Sequence, residues 1–354
     1  MGLGRDLTKE SDVRTFFARW PALTVDWWDV ARVIIDMLPD DVLLAIFDFY
    51  LDKKAHIDAW HKLVHVCRTW RNIVFGSPSR LNLRLYCKST TRVWKTLDIW
   101  PRLPIAIRIF NIQIYNIEIV LSGLGHTDLI NELQFWRVPS DQLKELVGAM
   151  RRPYPALADL TLEPGDEKVL TIPDSFLGGS APRLRSLNLY HIRFRGLPNL
   201  LLSATHLVHL QLVGIPHSGY ISPDTMVSCL SVLTKLEKLT IGFASPRSRP
   251  DRKSQRPPPQ TRALLPVLTD LHFRGICEYL EDLVAWIDAP LLDDLEIKFF
   301  HQATFDTPQL TVFLSRTPKF QEARVVFSDK RFSVTLPQTC DGKLELEILS
   351  DIWR

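Results

Sequence analysis

His61 and His65 stand four residues apart on a stretch with helical patterning, a spacing that suits a shared metal ion. Lys62 follows His61 where a zinc protease needs glutamate, so that motif fails. Gly123-Leu124-Gly125 lacks the third glycine and the strand–helix setting of a dinucleotide loop, and Gly178-Gly179-Ser180 has no lysine to hold a phosphate. The acid pairs Asp40-Asp41 and Asp293-Asp294 fit simpler places, a helix start and a strand edge. No G-x-S-x-G nucleophile turn occurs. Five cysteines (Cys67, Cys87, Cys229, Cys277 and Cys340) include no C-x-x-C pair, which speaks against a disulfide framework and a zinc knuckle. The expectation is therefore a non-enzyme without cofactor or resident metal, in a reducing compartment inside the cell, cytoplasmic or nuclear.

Composition narrows the partners. The 354 residues carry a net charge of only +3, which gives no reason to expect a nucleic acid or a membrane surface. A hydrophobic share of 46% is that of a folded domain. The apolar run from Ile105 to Leu121 is interrupted by Arg108, Asn111, Gln113, Asn116 and Glu118, so it is no membrane span. The first residues, MGLGRDLTKESDVR, are charged and unlike a signal peptide.

The elements that organise the chain begin at Met37. Pro39 suits the first position of a helix, and Asp40 and Asp41 suit its positive N-terminal end. Val42, Leu43, Ile46, Phe47 and Tyr50 then draw one broad apolar stripe. Leu63, Val66, Cys67, Trp70 and Val74 repeat the pattern after a polar break. Two short helices cannot bury this much apolar surface between themselves. The excess needs a partner, either the rest of the chain or another protein.

Leu38-Pro39-Asp40-Asp41-Val42-Leu43-Leu44, Ile46-Phe47 and Val66-Cys67-Arg68-Thr69-Trp70-Arg71 occur in an order that resembles an F-box. The continuation Phe75-Gly76-Ser77-Pro78-Ser79-Arg80-Leu81-Asn82-Leu83 is similar to the segment after the F-box in the large fungal families. One departure is the polar insert from Asp52 to Asp58, longer than the usual connection. The resemblance implies docking on the Skp adaptor of a cullin–RING ubiquitin ligase. The contacts it implies are Leu38, Pro39, Val42, Leu43, Ile46, Phe47, Leu63, Val66, Cys67 and Trp70.

The rest of the chain divides around this segment. Residues 1–36 read as an amphipathic helical segment, with Trp27 and Trp28 as packing residues or partner anchors. Residues 37–85 are the F-box, and residues 86–354 a recognition domain. Between Arg108 and Val120 the β-branched residues Ile109, Ile112, Ile114, Ile117 and Ile119 predict a strand. An L-x-x-L-x-L pattern then recurs: Ile130/Leu133/Phe135, Leu157/Leu160/Leu162, Leu184/Leu187/Leu189, Leu207/Leu210/Leu212, Leu236/Leu239/Ile241, Leu268/Leu271/Phe273 and Leu292/Leu295/Ile297. Phe320/Ala323/Val325 is a weaker eighth copy, and Leu344/Leu346/Ile348 predicts a closing strand. The copies step by roughly 23 to 32 residues, with helix-like stretches such as Ser140–Val147 between them, a leucine-rich-repeat-like period.

The predicted fold class is α/β: a helical F-box followed by an irregular leucine-rich-repeat-like solenoid with a parallel sheet. An ordinary α/β domain is the second reading. The Pro- and Arg-dense stretch from Ser245 to Gln260 predicts a disordered basic loop. Residues flanking the last two aliphatics of each copy should line an outward wall, since side chains alternate along a strand. Glu132, Gln134, Trp136, Thr161, Tyr190, His209, His272 and Arg274 belong to it. Trp136, Tyr190, His209, His272 and Arg274 are its candidate contacts with a protein substrate. The expected function is substrate receptor of a Skp–cullin–F-box ligase; the alternatives are a repeat scaffold without ubiquitin transfer or an α/β enzyme.

Overall fold

The computed structural model describes residues 38–53, 59–78, 80–87, 102–110, 117–166, 168–247, 262–300 and 307–317, and the backbone of strands at 324–328, 331–335 and 343–349. The chain divides into two compact units, Met1–Asn82 and Leu83–Arg354. The readings of residues 1–36 and of the insert at 54–58 lie outside the described residues. So does the basic loop apart from Ser245 to Arg247.

In the first unit, α1 (Asp40–Lys53) begins where Pro39 supplies the opening carbonyl to the amides of Val42 and Leu43, at 3.0 and 3.1 Å. Leu43, Leu44 and Phe47 bury one face of α1. A single turn, α2 (Trp60–Val64), ends at His65, and Cys67 opens α3 (Arg68–Gly76). The Cys67 sulfur accepts the Trp70 amide at 3.5 Å, a weak N-cap from a residue type rarely used for it. Phe47 and Trp70 meet at 4.7 Å between ring centroids, and Trp60 meets Phe75 edge-on at 5.9 Å. The Arg71 guanidinium donates to the Val64 carbonyl at 3.0 Å and closes the end of α2. Each fully buried Leu or Phe here contributes about 1.5–3 kcal/mol.

The second unit is built on a ten-stranded sheet in which every adjacent pair is parallel. Its strands, in spatial order, are β1 (Leu85–Cys87), β2 (Ile105–Phe110), β3 (Ile130–Val138), β4 (Asp159–Pro164), β6 (Ser186–Tyr190), β8 (His209–Ile215), β9 (Lys238–Phe243), β11 (Asp270–Gly275), β13 (Asp294–Phe300) and β16 (Lys343–Leu349). Spatial order follows chain order throughout. Short parallel pairs form in the returning segments between β5 (Leu170–Ile172) and β7 (Ile192–Phe194), and between β10 (Ala263–Leu264) and β12 (Ile287–Asp288). The helices α4 (Ile117–Leu124), α5 (Ser140–Ala149), α6 (Leu197–Ser203), α7 (Pro223–Leu230), α8 (Cys277–Ala285) and α9 (Pro308–Ser315) return the chain. Successive helices touch, as in α6 on α7, α7 on α8 and α8 on α9.

The seven aliphatic triplets explain this order. Their last two members stand level in adjacent strands, as in Leu133, Leu160, Leu187, Leu210, Leu239, Leu271 and Leu295. The first member of each copy is fully buried; six stand at the corner before the strand, and Ile130 begins β3 itself. One residue after that corner, a run of backbone bonds steps from copy to copy: Ala158 to Asn131, Arg185 to Ala158, Val208 to Arg185, Glu237 to Val208, Thr269 to Glu237 and Asp293 to Thr269, all 2.7–2.9 Å. Each corner amide thus has a partner that only the neighbouring copy can provide.

Three expectations need correction. Of the β-branched run, Ile112 and Ile114 lie outside the described residues; Ile109 lies in strand β2, and Ile117 and Ile119 in helix α4. Packing of Val120 and Leu124 overrides β propensity there. Of the weak eighth copy, Phe320 and Ala323 lie outside the described residues; Val325 falls in β14 (Arg324–Ser328), which pairs antiparallel with β15 (Arg331–Thr335) and not with the ten-stranded sheet. On the outward wall, Glu132 and Thr161 are buried, not solvated.

Candidate protein-interaction surfaces

Each unit presents one candidate surface. On α1 the buried stripe leaves a second one exposed. Val42, Ile46 and Phe49 recur at i, i+4 and i+7, with 39, 47 and 62% of their surfaces accessible. Pro39 is exposed at the start of the same helix and Leu38 half-buried before it. Val66, after α2, is 58% accessible, and Cys67 and Trp70 are partly so. Leu43, Phe47 and Leu63, also expected as contacts, lie in the core of the unit. They hold the helices together and shape the surface from below. Phe49 was not among the expected contacts; its place one turn beyond Ile46 was the signal available in the sequence.

The second surface is the outward face of the sheet. At its β1–β4 end, Arg84 and Arg108 both pair with Glu132. The bond to Glu132 is the main reason that the Arg108 guanidinium is raised above its ordinary value. Arg108 also lies 5.2 Å over the Tyr86 ring. Asp159, next to Glu132, is raised by burial first and by the Glu132 charge second. Further along, the Trp136 and Tyr190 rings meet at 5.7 Å and 48°. The indole N–H donates to Gln134 Oε1 at 3.4 Å. Burial, then the Glu163 carboxylate, pushes the Tyr190 phenol up.

In the middle, Ser186, Asn188, His209, Gln211, Lys238, Thr240, Asp270 and His272 line an open depression of about 340 Å³. Asn188 donates to Thr161 at 3.0 Å and to Ser186 at 3.2 Å. The wall expected from alternation therefore brings His209 and His272 to one depression, while Trp136 and Tyr190 form a separate aromatic patch. Arg274, exposed, lies 5.7 Å over the buried Phe300 ring. Leu210 also lines the depression, whose surface is polar and apolar in nearly equal measure.

Comparison with known proteins bears on the first surface. The family model described as F-box-like matches residues 35–88. A search of curated proteins finds no match to the chain. The class that the helical segment defines is thus the F-box-like domain. It spans the exposed stripe of α1 together with α2 and α3. Among the described residues no helix is long and apolar enough to cross a membrane.

Proposed function

We propose that this chain is a substrate-receptor subunit of a Skp–cullin–F-box ubiquitin ligase. The F-box-like segment at residues 35–88 carries the reading, because F-box domains bind the Skp adaptor of cullin–RING ligases. The exposed stripe of Val42, Ile46 and Phe49 supports it, since apolar side chains at helical spacing are what an adaptor groove takes up. The sheet unit we read as an irregular leucine-rich-repeat-like solenoid that holds the target. Seven triplets in register and a strand order that follows the chain support this. The mechanism is proximity: one unit holds the ligase and the other a protein target, so the target's effective concentration near the charged ubiquitin carrier rises. The chain itself does no covalent chemistry.

Co-purification with a Skp adaptor tests the first half. The intact protein is expected to retain the adaptor, and replacement of Leu38 and Pro39 by Ala to release it. Val42→Asp with Ile46→Asp should release it too, with helical content unchanged, because both side chains are exposed. Undiminished capture by both double variants would falsify the assignment. The second half is tested with a target identified by affinity purification. Trp136→Ala, Tyr190→Ala and Arg274→Glu should weaken its capture while adaptor binding stays intact; unchanged capture by all three places the contact elsewhere.

A further inference from the structure

The β11–β13 border carries a donor cluster built around His272, one of the candidate target contacts. Asp270 and His272 stand two apart on β11, so both face outward, and Asp294 and Glu296 stand level with them on β13. One ligand atom each from Asp270, His272 and Asp294 lie within 4.8 Å of one another. His272 Nε2 is 3.9 Å from Asp294 Oδ2, and His272 Nδ1 is 3.5 Å from Glu296 Oε2. Both His272 Nε2 and Asp294 Oδ1 are shielded from solvent without a hydrogen-bond partner among the described residues. Shielded polar atoms of this kind are costly unless something binds them.

We propose that Asp270, His272 and Asp294 bind a divalent metal ion of the zinc type. An imidazole joined by carboxylates selects first-row transition metals over magnesium or calcium. Donors around a tetrahedral zinc ion, at about 2.0–2.1 Å from it, stand about 3.3 Å apart. The side chains of His272 and Asp294 are about one-third exposed and have room to close the remaining distance. With the metal on Nε2, Nδ1–H points to Glu296, the outer carboxylate that fixes the ring and its tautomer. Glu296 is itself held by Lys298.

Lys238 borders the cluster and donates to Asp270 Oδ1 at 3.1 Å. The ion displaces the Lys238 bond, so this lysine is an internal competitor. Three protein donors leave a fourth position open, beside the depression that Asp270 and His272 help to line. That position is available to water or to a carboxylate of a bound molecule. The site stands independently of the adaptor reading.

The test is zinc binding by the full chain, by calorimetry and by metal content after dialysis. The intact protein is expected to bind one zinc ion more than His272→Ala. Glu296→Gln should weaken that ion's binding about 10- to 100-fold, and Lys238→Met should tighten it. Nitrogen resonances of the His272 imidazole read the same event without mutation and should shift when zinc is added. Equal stoichiometry and affinity in the intact protein and His272→Ala overturn the proposal. If His272→Ala does not fold, the imidazole resonances decide: resonances unmoved by zinc overturn it.

Discussion

Glu132 shows what a single position does in this wall. Its carboxylate is 2% exposed, and the charges that neutralise it arrive from Arg84 and Arg108 on the segments of the two preceding strands. A buried carboxylate survives only when paired, and here the pairing ties the first three strands of the sheet together. Glu132→Ala strands two guanidinium groups, and is expected to cost about 3 kcal/mol, measured as a lowered urea midpoint. Glu132→Gln keeps the shape but not the charge and should fall between. The sequence displayed Glu132 as an ordinary outward residue of a strand. Alternation told its direction correctly. Its burial depended on Arg108, 24 residues before it, and Arg84, 48 before it, and no local pattern reports such a pair.

At the scale of elements, the triplets were legible because each copy states the same burial rule: corner, strand, strand. Helix α5 and α7 were legible for a related reason, since Ser140 and Ser222 open apolar-periodic runs. The segment from Ile105 to Leu124 was not. Its isoleucines favour strand intrinsically, and only the packing of Val120 and Leu124 makes the second half a helix. The ladder between β8 and β9 hides another detail. It shifts register between Leu212 and Ile215, and Gly214 there has φ of +67°. A Cβ on Gly214 would meet the His191 ring at 2.3 Å. Gly214→Ala therefore combines a left-handed backbone with a steric conflict, and an expected loss of about 1–3 kcal/mol. Thermal unfolding of that variant beside Gly148→Ala, a helical glycine with nothing within 4 Å of a Cβ, separates strain from a general effect of substitution.

For the sheet unit as a whole, the buried phenols and thiol set a limit at high pH. Burial pushes Tyr154 up to about 12 and Cys229 up to about 11, and raises Tyr220 and Tyr279 as well. In the unfolded chain these groups ionise near their ordinary values of 9.0 for the thiol and 10.0 for the phenols. The folded state therefore keeps protons that the unfolded state releases. Stability is at its full value below about pH 9 and falls as pH rises towards 11 and 12. Urea midpoints between pH 8 and 11 should show this decline. Tyr154→Phe should make the decline shallower while lowering the midpoint at pH 8, because the Tyr154 hydroxyl donates to the Leu124 carbonyl at 3.0 Å. A slope unchanged by Tyr154→Phe rules this phenol out as a contributor.

The match between chain order and strand order also has a kinetic meaning. Each strand finds its partner within one excursion of the chain, from Leu85 to Ile105 at the short end, so relative contact order is low for a sheet of ten strands. Loop closure then costs a similar, modest entropy at every step, and pairing propagates from whichever neighbours meet first. The last step differs. Leu295 must wait for Leu344, across α9 and the β14–β15 hairpin, so its loop is the longest in the sheet. The pair β13–β16 is thus the junction with the greatest closure entropy, the one that zips up late in folding and opens early when the chain is pulled from its C-terminal side.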